Sequence, residues 1–177
     1  MPSQSELLKF AIDIAKEAGE IQRVYFGKNN TIKTKSTNID LVSQADIESE
    51  QLLINRIKTK FPDHDIIAEE SDLKQKNADF RWIIDPLDGT TNFVHKLPIF
   101  AVSIGIQYKE ETIAGVVYNP AADKLFYASK GEGAYLNKEM IKTSSSDTLS
   151  NSLLVTGFPY LHDLKYDLSF EIFKEFY

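Results

Sequence analysis

Three stretches between residues 100 and 129 constrain this chain more than any other feature. "FAVSIGIQY" (100–108) alternates apolar and polar positions, with Phe100, Val102, Ile104, Ile106 and Tyr108 on one side. "TIAGVVY" (112–118) and "KLFYAS" (124–129) follow it, the last two joined by the turn formers of "NPAAD". A period of two broken at hairpin spacing commits the segment to antiparallel strands with one face to cover. Residues 4–26 can supply the cover, because Leu7, Ala11, Ile14, Ala18, Ile21 and Tyr25 recur at helical spacing. Ser3 and Glu6 have capping-box spacing, and Gly27 suits the helix end. A second helix is expected from Ser43 to Phe61, with Ile47, Ile54, Ile57 and Phe61 inward and Pro62 just beyond. "TIKTK" (31–35), "NIDLVS" (38–43), "DIIAE" (65–69) and "FRWIID" (80–85) read as further strands. The fold class is therefore α+β, a helix pair packed on a mostly antiparallel sheet.

Residues 1–148 form the expected first domain. A new unit opens over 149–177, with a strand at "SLLVTGF" (152–158) and a helix at "DLSFEIFKEFY" (167–177). That helix carries an apolar stripe of Leu168, Ile172, Phe173 and Phe176.

Composition narrows the function. With 42% hydrophobic and 26% charged residues, the chain belongs with globular rather than disordered proteins. A net charge of −6 carries no sign of nucleic-acid binding. The absence of cysteine excludes disulfides and thiolate zinc sites. No signal-peptide pattern opens "MPSQSELLKF" and no apolar run reaches membrane-spanning length, so a cytoplasmic location without membrane association is expected. His64, His95 and His162 share no metal-ligand spacing and read as structural or exposed.

The chemistry concentrates in "DPLDGTTNF" (85–93) and "AEES" (68–71). Taken separately, the first reads as a type I turn and the second as a solvated strand end. Together they say more. Glu69 and Asp85 each end an apolar strand, and if the strands are neighbours the two carboxylates meet at one sheet edge. Asp88 can return toward the same point and leave the Leu87 carbonyl facing it. Mg²⁺ takes such oxygen ligands, and the amides opening a helix at "GTTNF" suit a phosphate. The pattern describes metal-assisted hydrolysis of a phosphate ester. The aspartyl-nucleophile motif D-x-D-G-T of haloacid dehalogenase phosphatases does not apply, because Pro86 occupies the nucleophile position.

"DPLDGTTNF" and "AEES", with "KSTNIDLVSQAD", "GVVYNP" and "KGEGAYLN", resemble the signatures of the inositol monophosphatase family, within the lithium-sensitive phosphatase superfamily, along essentially the whole chain. The resemblance implies the first part of an α-β-α-β-α layered sandwich and a cytoplasmic homodimer acting on a small phosphorylated metabolite. It implies that Glu69, Asp85, the Leu87 carbonyl and Asp88 bind Mg²⁺, Asp85 bridging two ions. Glu69 and Thr90, with Asp46, would carry catalysis, and Leu87, Asp88, Gly89 and Thr90 would surround the substrate phosphate. Lys35, Asp40 and Glu70, beside Asp46, match outer positions that orient the site. Inositol monophosphate is the expected substrate; fructose bisphosphate, histidinol phosphate and nucleotide 3′-phosphates are substrates of relatives. The family's later signature W-D-x-A-A-G has no counterpart, since the single tryptophan, Trp82, precedes isoleucine. A C-terminally truncated phosphatase, or an inactive metal-binding remnant, is the corresponding expectation.

Overall fold

The computed structural model describes residues 1–28, 32–34, 41–158 and 164–176. Helix α1 (Gln4–Tyr25) starts where the Ser3 hydroxyl accepts from the Glu6 N–H, and Gly27 follows its end at φ +80°. Strands β1 (Ile32–Thr34) and β2 (Leu41–Ser43) form an antiparallel pair leading into α2 (Gln44–Lys60). The main sheet then takes β3 (Asp65–Ala68), β4 (Phe80–Asp88), β5 (Ala101–Tyr108), β6 (Glu111–Asn119), β7 (Lys124–Ser129), β8 (Gly133–Leu136) and β9 (Glu139–Ile141), paired in sequence order. Among the described strands, only β3 and β4 run parallel. A short helix, α3 (Thr90–Val94), sits between β4 and β5, and α4 (Leu164–Glu175) lies near the C-terminus.

The helix pair covers one face of the sheet, as the periodicity requires. Leu7, Phe10, Ile14, Leu53 and Ile57 meet Trp82, Ile84, Val102, Ile104, Ile106 and Val116 in one continuous core. The alternate residues Ile67, Ile83, Val117, Phe126 and Ile141 stay part-exposed on the other side of the sheet. Fully burying one such large apolar side chain stabilises the fold by roughly 1.5–3 kcal/mol, so the covered face holds the structure together.

Three expectations need correction. Ile47 is 41% exposed, because the buried side of α2 runs through Ala45, Asp46, Ser49, Glu50, Leu53, Ile54 and Ile57. That helix turns two polar acids inward where an apolar residue stood one position away. Residues 152–158 form no strand: Ser152 bonds back to Leu149 and Thr148, and among the described residues no strand lies alongside to receive the segment's amides. The phenyl ring of Phe158 instead stacks on Phe170 of α4 at 4.4 Å. The expected turn at "DPLD" is a bulged continuation of β4. Asp85 pairs with Ser103 and Asp88 with Ala101, three steps on one strand against two on its partner. Pro86, which has no N–H for a ladder, is tolerated at such a bulge.

Of the three histidines, His64 is structural: it stacks between Phe61 and Phe80 at 4.8 and 4.7 Å, and its Nδ1 accepts from Trp82 Nε1 at 3.0 Å. His95 is exposed, and His162 lies outside the described residues. Burial lowers the His64 pKa, with the nearby Asp63 charge opposing. The folded value thus lies below the unfolded one of about 6.5, so this contribution is present above that pH and lost as pH falls through it. In His64→Asn an amide oxygen can replace Nδ1 as a non-titrating acceptor. We expect the stability advantage of the unsubstituted protein to shrink between about pH 7.5 and about pH 5.5, read by thermal unfolding of both proteins. An advantage constant across that range would contradict the assignment.

Candidate active site

The parallel register of β3 with β4 sets the site. Ala68 pairs with Ile84, so the next residues come together: Glu69, just past the end of β3, and Asp85, where the bulge of β4 begins. Their carboxyl groups share a hydrogen bond, and the Asp85 pKa is pushed up to about 8. Burial is the largest cause, followed by the hydrogen bond and charge of Glu69 and then the charge of Asp88. Both residues line an open hollow of about 410 Å³ floored by Ile83, Ile84, Ser103 and Gly105.

Asp88 acts on Asp85 through charge alone and is exposed. The expected three-carboxylate convergence is accordingly looser than the sequence suggested. Among the described residues, no three His, Asp or Glu side chains are grouped as a metal-holding cluster. The remaining oxygen is backbone, since the carbonyl of buried Leu87 accepts from Thr90 Oγ1 at 3.1 Å. Asp85 Oδ1 meanwhile accepts from the Leu87 N–H at 3.1 Å, which fixes the carboxylate within the bulge.

Asp46 approaches from α2 and is 1% exposed. Its Oδ2 accepts from the Ser43 N–H at 2.8 Å and from the Ser43 hydroxyl, while Oδ1 lies 3.0 Å from Thr90 Oγ1. Desolvation raises its pKa, and the bonds from Ser43 and Thr90 partly offset that. The single Thr90 proton has two acceptors, of which the carboxylate is the stronger. Donation to Asp46 leaves the Leu87 carbonyl free to face a cation. Gly89 makes the approach of Thr90 possible: its φ is +88°, and an added Cβ would stand 2.9 Å from the Ile99 carbonyl oxygen.

Glu50 escaped the sequence reading. Only 3% exposed, it accepts from the Glu70 N–H at 2.8 Å and from the Ser71 hydroxyl, pinning the loop that follows Glu69. Its only sequence signal was a charge on the inward side of α2. Lys35 and Asp40 lie outside the described residues.

The donor set is oxygen throughout: the Glu69 and Asp85 carboxyls, Asp88 nearby and the Leu87 carbonyl. That is the ligand chemistry of Mg²⁺, and acids pressed together until one retains its proton near pH 8 fit a cation. The model of the inositol monophosphatase family matches residues 3–174. The chain belongs to that family. It is 42% identical over 158 residues to inositol monophosphatase 3 of Solanum lycopersicum, covering 87% of this chain and 59% of that protein. It superposes on extragenic suppressor protein suhB of Bartonella henselae with a TM-score of 0.87 at 32% identity, over 96% of this chain and 66% of the other. An IMPase/NADP phosphatase complexed with Mg²⁺ and phosphate matches at TM-score 0.74 and 27% identity, over 82% of this chain and 56% of that one. The chain thus spans about three-fifths of the length of such family members.

Two substitutions test this geometry without substrate. The folded pKa of Asp85 lies above the unfolded value of about 3.9, so the metal-free protein loses stability from this group as pH rises toward about 8. Asn imitates the protonated acid, so the gain in melting temperature of Asp85→Asn in chelator should grow from about pH 4 and level off near pH 8. A pH-independent difference would contradict the raised pKa. Gly89→Ala must move the Ile99 backbone and hold a strained φ, and should cost about 1–3 kcal/mol in urea unfolding; a neutral substitution would show that the turn can relax.

Proposed function

We propose that this chain carries the metal- and water-handling part of a Mg²⁺-dependent phosphomonoesterase whose substrate is inositol monophosphate. The observation that carries the reading is the meeting of the Glu69–Asp85 pair with the Asp46–Thr90 hydrogen bond around one bulge. Glu69, Asp85, the Leu87 carbonyl and Asp88 would hold the cation, which supplies Lewis acidity and lowers the pKa of water. Thr90 Oγ1, with its proton directed to Asp46, has lone pairs to accept a proton from the attacking water. As it does so, its own proton passes to Asp46 Oδ1, a carboxylate whose raised pKa suits that role. Glu69 would hold the same water from the other side, and the amides of Gly89 and Thr90 would orient the phosphate. Lys35, Asp40 and Glu70 keep their supporting parts.

Residues 149–177 are read as the opening of a second domain. A cytoplasmic homodimer completes the proposal; no described helix is long and apolar enough to cross a membrane. The family likeness supports phosphate-ester chemistry more directly than it supports one sugar, so fructose bisphosphate, histidinol phosphate and a nucleotide 3′-phosphate are the comparison substrates.

Phosphate release from each ester, with Mg²⁺ and with chelator, tests the proposal. Thr90→Ala should lower kcat by roughly 10²-fold while KM changes less, as expected for loss of a proton-transfer group. A large rise in KM at constant kcat would reduce Thr90 to a binding residue, and metal-independent release would overturn the reading as a whole.

A further inference from the structure

Position 22 interrupts the apolar side of α1. Ala15, Ala18 and Gly19 are buried there, and the helical period calls for another apolar residue, yet the chain places a glutamine with no exposed surface. Its Nε2 donates to the Pro86 carbonyl at 2.6 Å, across 64 residues of sequence. Its Oε1 has no partner, one of only two such buried side-chain atoms among the described residues. A flipped amide would set oxygen against the Pro86 oxygen, so the acceptor fixes the orientation and the orphaned Oε1 is its consequence. An unsatisfied buried carbonyl opposes folding where leucine would not.

The bond has a specific target. The peptide group between Pro86 and Leu87 is held at both ends, its oxygen by Gln22 and its N–H by Asp85 Oδ1. The bulge between Asp85 and Asp88 breaks the ladder register here, and proline supplies no amide of its own. Rotation of this one peptide would carry away the bond that orients Asp85 and turn the following Leu87 carbonyl. We propose that Gln22 is a positioning residue, a buried clamp that sets the Pro86–Leu87 peptide and through it the two oxygens offered to a cation. The cation arm of this inference rests on the metal reading above; the clamp itself does not.

Gln22→Leu, with Gln22→Met as a second variant of similar volume lacking the donor, separates the possibilities. Exchange of the Leu87 amide in metal-free protein should be at least about tenfold faster in both variants, with only a small change in melting temperature, because the orphaned Gln22 oxygen is gone while the Pro86 carbonyl loses its donor. Mg²⁺ affinity by calorimetry should fall about tenfold, as for loss of a group that orients a ligand. Unchanged Leu87 exchange would overturn the clamp, as would a loss of affinity matched by an equal loss of stability. If the unsubstituted chain binds no Mg²⁺, the proposed function fails, and the exchange measurement still decides the clamp.

Discussion

The parallel pairing of β3 with β4 is the constraint on which the rest depends. An otherwise antiparallel sheet takes in one strand running the other way, so the acid that follows β3 lies beside the acid that opens the bulge of β4. Two carboxyl groups in hydrogen-bond contact oppose folding unless one keeps its proton, and Asp85 does so up to about pH 8. The core supplies what holds that pair in place. Trp82 and Ile84 on β4 pack against the helix pair, while Asp85 stands one residue beyond on the same strand.

The helices support the site as well as the sheet. From α2, Asp46 reaches Thr90 and Glu50 holds the loop after Glu69; from α1, Gln22 reaches the bulge. These three buried polar residues occupy positions where apolar ones would pack more simply. Burial gives them fixed geometry and, for Asp46, a carboxyl that retains a proton more readily. The acid pair sits beside the bulge of β4, and its supports come up through the core.

Much of this was legible in the sequence because it is local. The stripe of Leu7, Ile14 and Ala18 gave α1, and the alternation from Phe100 to Tyr108 gave β5. The motif "DPLDGTTNF" marked the acids and, through Gly89, the start of α3. What was missed depends on partners distant along the chain. A proline, two aspartates and a glycine serve a turn or a bulge equally well, and only pairing with Ser103 and Ala101 decides between them. Residues 152–158 have the composition of a strand, but among the described residues no adjacent strand bonds to them. Gln22 and Glu50 act 64 and 20 residues away, where no spacing rule reaches.

In the proposed function Glu69 and Asp85 are held together against their own repulsion so that a divalent cation can replace the proton between them. Calorimetric titration of the chain with Mg²⁺ at pH 7, in two buffers of different ionisation enthalpy, tests it most directly. With an Asp85 pKa of about 8, binding should release close to one proton per chain, and the observed heat should shift between buffers accordingly. Binding heat independent of buffer, or the same Mg²⁺ binding after Asp85→Asn, would contradict the account.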